Sequence, residues 1–187
     1  MISALWTCRH SRVPHYKARQ HTAKMEYNNK SNAERLVELL MRKGLTIATA
    51  ESCTGGAVSQ AITSVAGCSD VMLGAVVAYH NSVKINILGV KEDTIEQYGA
   101  VSEETVKEMA EGISRITGSD CSIATSGIAG PGGGTVEKPV GTVWIASKIK
   151  GETTTRLLQL GNRGRKENIA ATVDEVLDLI YSKLEEK

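Results

Sequence analysis

Residues 45–58 read Leu45-Thr46-Ile47-Ala48-Thr49-Ala50-Glu51-Ser52-Cys53-Thr54-Gly55-Gly56-Ala57-Val58. Leu45–Ala50 is a short apolar run rich in β-formers, the pattern of a strand buried on both faces. Glu51–Gly56 carries turn residues and two adjacent glycines, and the periodicity then changes to that of a helix over Ala57–Val65. A buried strand that turns directly into a helix is the repeating unit of an α/β sheet.

The pattern repeats on either side. Upstream, Ser31 or Asn32 can cap a helix whose apolar stripe is Ala33, Leu36, Val37, Leu40 and Met41, with Gly44 as the stop. Downstream, Val71–Tyr79 reads as a second strand, Asn81 can cap a short helix through Leu88, and Glu92–Tyr98 forms another. Ser102, with Glu103 and Glu104 in the first turn, opens a helix with Val106, Met109, Ala110, Ile113 and Ile116 on one face. Cys121–Thr125 is a third strand, and the run 126–135 is too glycine-rich for any regular element. Val140–Lys148 and Thr153–Leu160 form a hairpin about Lys150-Gly151, and a final helix carries Ile169, Val173, Val176, Leu177, Ile180 and Leu184. Alternating helices and strands with a late hairpin predict a three-layer α/β/α sandwich with a mixed central sheet.

In such sheets ligands bind at the C-terminal ends of the strands, which singles out three loops. In the first, Glu51–Gly56, a serine sits on a strand-to-helix turn. The N–H groups of Thr54, Gly55 and Gly56 are expected to point out of the helix start, where they can hold a phosphate or an oxyanion. The plainer reading makes Ser52 or Thr54 a helix cap. In the second, Tyr79-His80-Asn81-Ser82-Val83-Lys84, Tyr79 and Lys84 can face one pocket. A lysine serves as general base once burial lowers its pKa; otherwise Tyr79 is a rim aromatic and Lys84 a solvated helix residue. His80 is the body's one histidine, with no carboxylate placed to orient it. In the third loop, six glycines fall between 127 and 141 and allow backbone to approach a ligand closely. Neither a G-x-x-x-x-G-K-[ST] order nor a G-x-G-x-x-G after a strand is present, so nucleoside triphosphate hydrolysis has no support. Gly161-Asn162-Arg163-Gly164-Arg165 offers guanidiniums that suit a phosphate or a plain solvated cluster.

Composition narrows the class. The chain has 187 residues, is 41% hydrophobic and 23% charged, and contains no Phe, so its core is aliphatic and its make-up that of an ordinary globular domain. No apolar run is long enough to span a bilayer. Residues 1–30 hold six basic side chains against Glu26 alone, a net +5. The rest carries 16 basic and 20 acidic side chains, net −4, a poor match to a phosphate backbone. The four cysteines show no C-x-x-C spacing, which argues against a zinc ribbon or disulfide framework and for a reducing, cytoplasmic location. The basic leader has no sustained period; it reads as a disordered tail, with a metal site or transit segment as weaker readings.

Taken together, Thr49–Gly56, Tyr79–Lys84 with Leu88-Gly89-Val90, Gly99–Ser102, Ser126–Thr135 and Lys138–Val143 resemble the CinA C-terminal family over about residues 31–187. The resemblance implies nicotinamide-nucleotide amidohydrolase activity: nicotinamide mononucleotide and water give nicotinate mononucleotide and ammonia. It implies Ser52 as nucleophile, Lys84 as base and Tyr79 as third catalytic member. It further implies substrate contacts from Glu51, Thr54, Gly55, Gly56, Asn81, Ser126, Gly127, Gly132, Gly133 and Arg163, with no metal and no cofactor. Arg163 falls where the family carries Gly-Asp-Arg, and Asn162 stands in place of the Asp. The family's larger N-terminal domain has no counterpart here, which points to the stand-alone form. Expected partners are the small nucleotide and further copies of the chain, a homo-oligomer, with neither nucleic acid nor membrane. A second reading, of another class, is a non-catalytic nucleotide-binding or partner-docking module.

Overall fold

The computed structural model describes residues 30–186; the leader and its alternative readings lie outside them. The described chain runs α1 (Asn32–Lys43), β1 (Ile47–Glu51), α2 (Ala57–Thr63), a 3-10 turn (Cys68–Asp70), β2 (Met72–Val77) and α3 (Asn81–Asn86). It continues through α4 (Glu92–Tyr98), α5 (Glu103–Thr117), β3 (Cys121–Gly127), β4 (Thr142–Ile149), β5 (Glu152–Gln159) and α6 (Arg165–Glu185). The sheet order is β2-β1-β3-β4-β5. β1 is parallel to β2 and β3, while β4 and β5 are antiparallel additions. The expected α/β/α sandwich with a mixed sheet is what forms. Among the described residues no helix is long and apolar enough to cross a membrane.

Strand alternation divides the core into two layers. Ile47, Ile123, Val143 and Ile145 face α1, α2 and α6, where Leu36, Leu40, Val58, Ile62, Val176 and Ile180 complete one cluster. On the other face Ala48, Ala50, Ala124 and Ala146 present a floor of small side chains. α5 lies against that floor through Val106, Met109, Ala110 and Ile113. Its approach to the preceding loop is tight: a Cβ on Gly112 would sit 2.0 Å from the Leu88 carbonyl oxygen.

Two stripe assignments change. Met41 is 37% exposed while Leu39 is 4% exposed, and Ile116 is 48% exposed. Each lies near the end of its helix. Two strand boundaries matter for the site. β1 extends to Glu51, whose side chain shares the α2-facing side with Thr49, and β3 continues to Gly127. Ser102 caps α5 by accepting from Thr105 N–H, as its position before two glutamates predicts.

Candidate active site

At the C-terminal edge of the parallel strands lies a cleft of about 250 Å³. Ser52, Cys53, Tyr79, Gly127, Ile128, Ala129, Gly130, Gly132, Gly133 and Arg165 line it. Three separate stretches of chain, after β1, after β2 and after β3, therefore meet there, as the position of strand ends in an open α/β sheet requires.

The first loop is organised by Glu51. Its side chain is fully buried and accepts from the N–H groups of Gly56 at 3.0 Å, Val58 at 2.9 Å and Ser59 at 2.8 Å. It also takes the Thr54 hydroxyl at 2.7 Å and the Thr49 hydroxyl at 3.3 Å. An acidic side chain thus closes the start of α2, satisfying orphan donors and the positive end of the helix dipole together. Gly55 N–H donates to the Ser52 carbonyl at 3.1 Å. The expectation that the Gly55 and Gly56 amides face outward with nothing internal to bond is corrected: both are used inside the protein. Thr54 is buried, and its hydroxyl also meets that of Thr125 at 2.8 Å. Glu51, Thr54, Gly55 and Gly56 support the turn and leave Ser52 and Cys53 as its cleft-lining residues.

Cys53 is 7% exposed, and burial pushes its thiol up to about 12, with the nearby Glu51 carboxylate adding to the rise. The thiol is therefore neutral at physiological pH. The second loop places Tyr79 at the mouth, 61% exposed. Lys84 is 1% exposed and lies behind the lining; its Nζ donates to the Ala78 carbonyl at 2.8 Å. Burial lowers its pKa below the ordinary 10.5. A Cys53 thiolate would counter that shift, but the thiol is protonated at neutral pH. No hydrogen bond joins Lys84 to Ser52 in this structure; the Lys84 ammonium has further N–H donors beyond the one given to Ala78. His80 caps α3: its Nδ1 accepts from Ser82 N–H at 3.2 Å, and the exposed ring is outside the cleft lining. Asn81, exposed at the start of α3, is outside the lining as well.

The third loop forms the opposite wall. Gly127, Gly132 and Gly133 line the cleft, whereas Ser126 is 1% exposed and donates its hydroxyl to Ala100 O at 2.6 Å. Arg163 is exposed and does not line the cleft. Arg165, in the first turn of α6, takes the place expected of it. Its Nη1 donates to Gly130 O at 2.9 Å and its Nη2 to the Tyr79 hydroxyl at 2.7 Å. It is the one charged side chain in the lining. Arg163 is the arginine of the Gly-Asp-Arg-like stretch, but it precedes α6; the helix begins two residues later with Arg165, and that side chain meets the loop.

The CinA C-terminal domain family profile matches residues 29–184. A CinA-like protein of Kosmotoga olearia is 50% identical over 139 residues, which are 74% of this chain and 34% of that protein. A putative competence-damage inducible protein of Clostridium acetobutylicum is 48% identical over 143 residues, 76% of this chain and 34% of that protein. The chain thus spans about a third of the length of the curated relatives it matches. Among solved structures, the competence/damage inducible protein CihA of Agrobacterium tumefaciens superposes with a TM-score of 0.78 at 38% identity, covering 83% of this chain and 97% of that one. A CinA superfamily protein of Klebsiella pneumoniae gives 0.80 at 33% identity, with 83% and 97% covered.

Proposed function

The chain belongs to the CinA C-terminal domain family, and from that premise we propose that it is an amidohydrolase of nicotinamide mononucleotide. The observation that carries the reading is the cleft itself, with Ser52 on a strand-to-helix turn facing a glycine-rich wall and a single guanidinium. Uncharged hydroxyl, backbone donors and one cation suit a phosphorylated carboxamide better than a polyanion or a metal-bound substrate.

In this reading Ser52 Oγ attacks the carboxamide carbon and its proton passes to Lys84. The carbonyl oxygen becomes an oxyanion, the C–N bond breaks, and the proton leaves with ammonia. Water then releases the acid from the acyl-serine. Lys84 suits the base role because burial favours its neutral amine, and its Nζ must turn from Ala78 O toward Ser52. Arg165, with the Gly132 and Gly133 amides, is the candidate anchor for the phosphate; its bond to Tyr79 supports a role for that phenol at the same cleft.

Ammonia release from nicotinamide mononucleotide, measured with the full chain and with Ser52→Ala, tests the reading. Turnover in the first and its loss in the second is the expected result; no turnover in the unaltered protein overturns it. One observation favours a non-catalytic nucleotide-binding module instead, namely that Lys84 Nζ bonds Ala78 O rather than Ser52. That module predicts nucleotide binding without ammonia.

A further inference from the structure

Resting on the amidohydrolase reading, we infer that the donor for the oxyanion is the backbone N–H of Gly130, aimed into the cleft by Asn168. Helix α2 cannot supply its Gly56, Val58 and Ser59 amides, because Glu51 holds all three. Gly55 N–H is likewise held, by Ser52 O, and the opposite wall offers a donor of its own.

Asn168 lies one turn into α6 and is fully buried. Its Nδ2 donates to Ala129 O at 3.1 Å and to Gly161 O at 3.0 Å. Both partners are carbonyl oxygens, so the amide nitrogen, not the oxygen, has to face them. Its Oδ1 is buried and receives no donor from the described residues. The side chain engages the protein through its amide nitrogen. Arg165, on the same turn of α6, holds the next carbonyl of the loop, Gly130 O.

The Ala129–Gly130 peptide is trans. In a planar trans peptide the N–H points opposite to the C=O. With Ala129 O drawn back to Asn168 on the α6 side, Gly130 N–H is turned the other way, to the cleft that Gly130 lines together with Ser52. Gly130 is buried, and no acceptor among the described residues takes its N–H. Buried backbone donors are almost always paired, so this one is matched to an acceptor brought by the ligand. Preorganised amides of this kind are what a tetrahedral oxyanion requires.

The test is steady-state hydrolysis of nicotinamide mononucleotide by the full chain carrying Asn168→Leu or Asn168→Ser, each checked for folding by thermal unfolding. The second substitution covers failure of the first to fold. Hydrogen exchange over residues 128–134 is measured alongside. A folded variant is expected to lose roughly tenfold to a hundredfold in kcat with KM changed by less than about threefold, and to exchange faster over the loop. A folded variant with kcat within about threefold of the original, or with unaltered loop exchange, overturns the inference. So does a raised KM at constant kcat, which would assign the loop amides to ground-state binding. An unaltered protein without turnover overturns the amidohydrolase reading and the oxyanion role with it, a result distinguishable from the others because no variant is involved.

Discussion

Arg165 Nη2 and the Tyr79 hydroxyl meet at 2.7 Å, although 86 residues separate them in the chain. The contact ties the first turn of α6 to the end of β2 and closes one side of the cleft. With Nη1 on Gly130 O, one guanidinium spans two of the three loops that build the site.

Arg165→Met is therefore expected to raise KM for nicotinamide mononucleotide by roughly tenfold to a hundredfold, as loss of a charge-assisted phosphate contact would. Arg163→Met, on an exposed residue outside the lining, is expected to stay within about threefold of the unaltered protein. Steady-state kinetics on the pair decides which guanidinium recognises the anion, and equal effects would refute the assignment to Arg165.

Glu51→Ala leaves the Gly56, Val58 and Ser59 amides without their acceptor inside a buried turn. The expected loss is about 2–3 kcal/mol of folding stability, the range for buried hydrogen bonds to a charged group. Urea unfolding at neutral pH measures it. A change under about 0.5 kcal/mol would mean that the turn stands without its carboxylate.

Ser52 and Lys84 are expected to act as a unit. Ser52→Ala and Lys84→Ala should each remove orders of magnitude of kcat, and the double substitution little more, as for groups sharing one step. Lys84→Arg should not rescue, since a guanidinium keeps its proton. Because burial lowers the Lys84 pKa, activity should rise with pH through a group titrating below a free lysine's roughly 10.4. Stability follows the same sign. The folded chain releases the Lys84 proton at lower pH than the unfolded chain, so between the two pKa values the unfolded state binds more protons and stability rises with pH. Lys84→Met removes that rise; pH-dependent urea unfolding reads it. Near-normal turnover in Lys84→Ala together with loss in His80→Ala would transfer the base role to the helix cap.

Cys53, though in the cleft lining, should resist iodoacetamide at pH 7.5 in the folded protein, because burial holds its thiol protonated up to about 12. Cys68, half-buried, should be alkylated ahead of it. Mass spectrometry of folded and unfolded samples compares the two, and rapid modification of folded Cys53 would show the thiol to be activated.

The order of elements and the layered α/β architecture were legible in the chain because each rests on local properties. Apolar periods, the Ser102 cap and the glycine stops are all read within a few residues of one another. The three site loops were legible too, since strand ends in such a sheet converge on one edge. Which atoms in those loops remain available was not. Glu51 reads as a turn residue, yet one more residue of β1 turns its carboxylate inward, where it consumes the amides that looked open. Arg163 and Arg165 are equivalent as letters, and only the tertiary structure, which starts α6 at Arg165 and sets that residue against the third loop, decides which one reaches Tyr79. Asn168 is a polar residue on the buried face of α6; its meaning lies in two carbonyls, Ala129 O and Gly161 O, from separate loops. Local sequence determines where the chain bends and the main apolar face of each helix. The pairing of donors with acceptors distant in sequence is decided by packing, and with it which groups are left to meet a ligand.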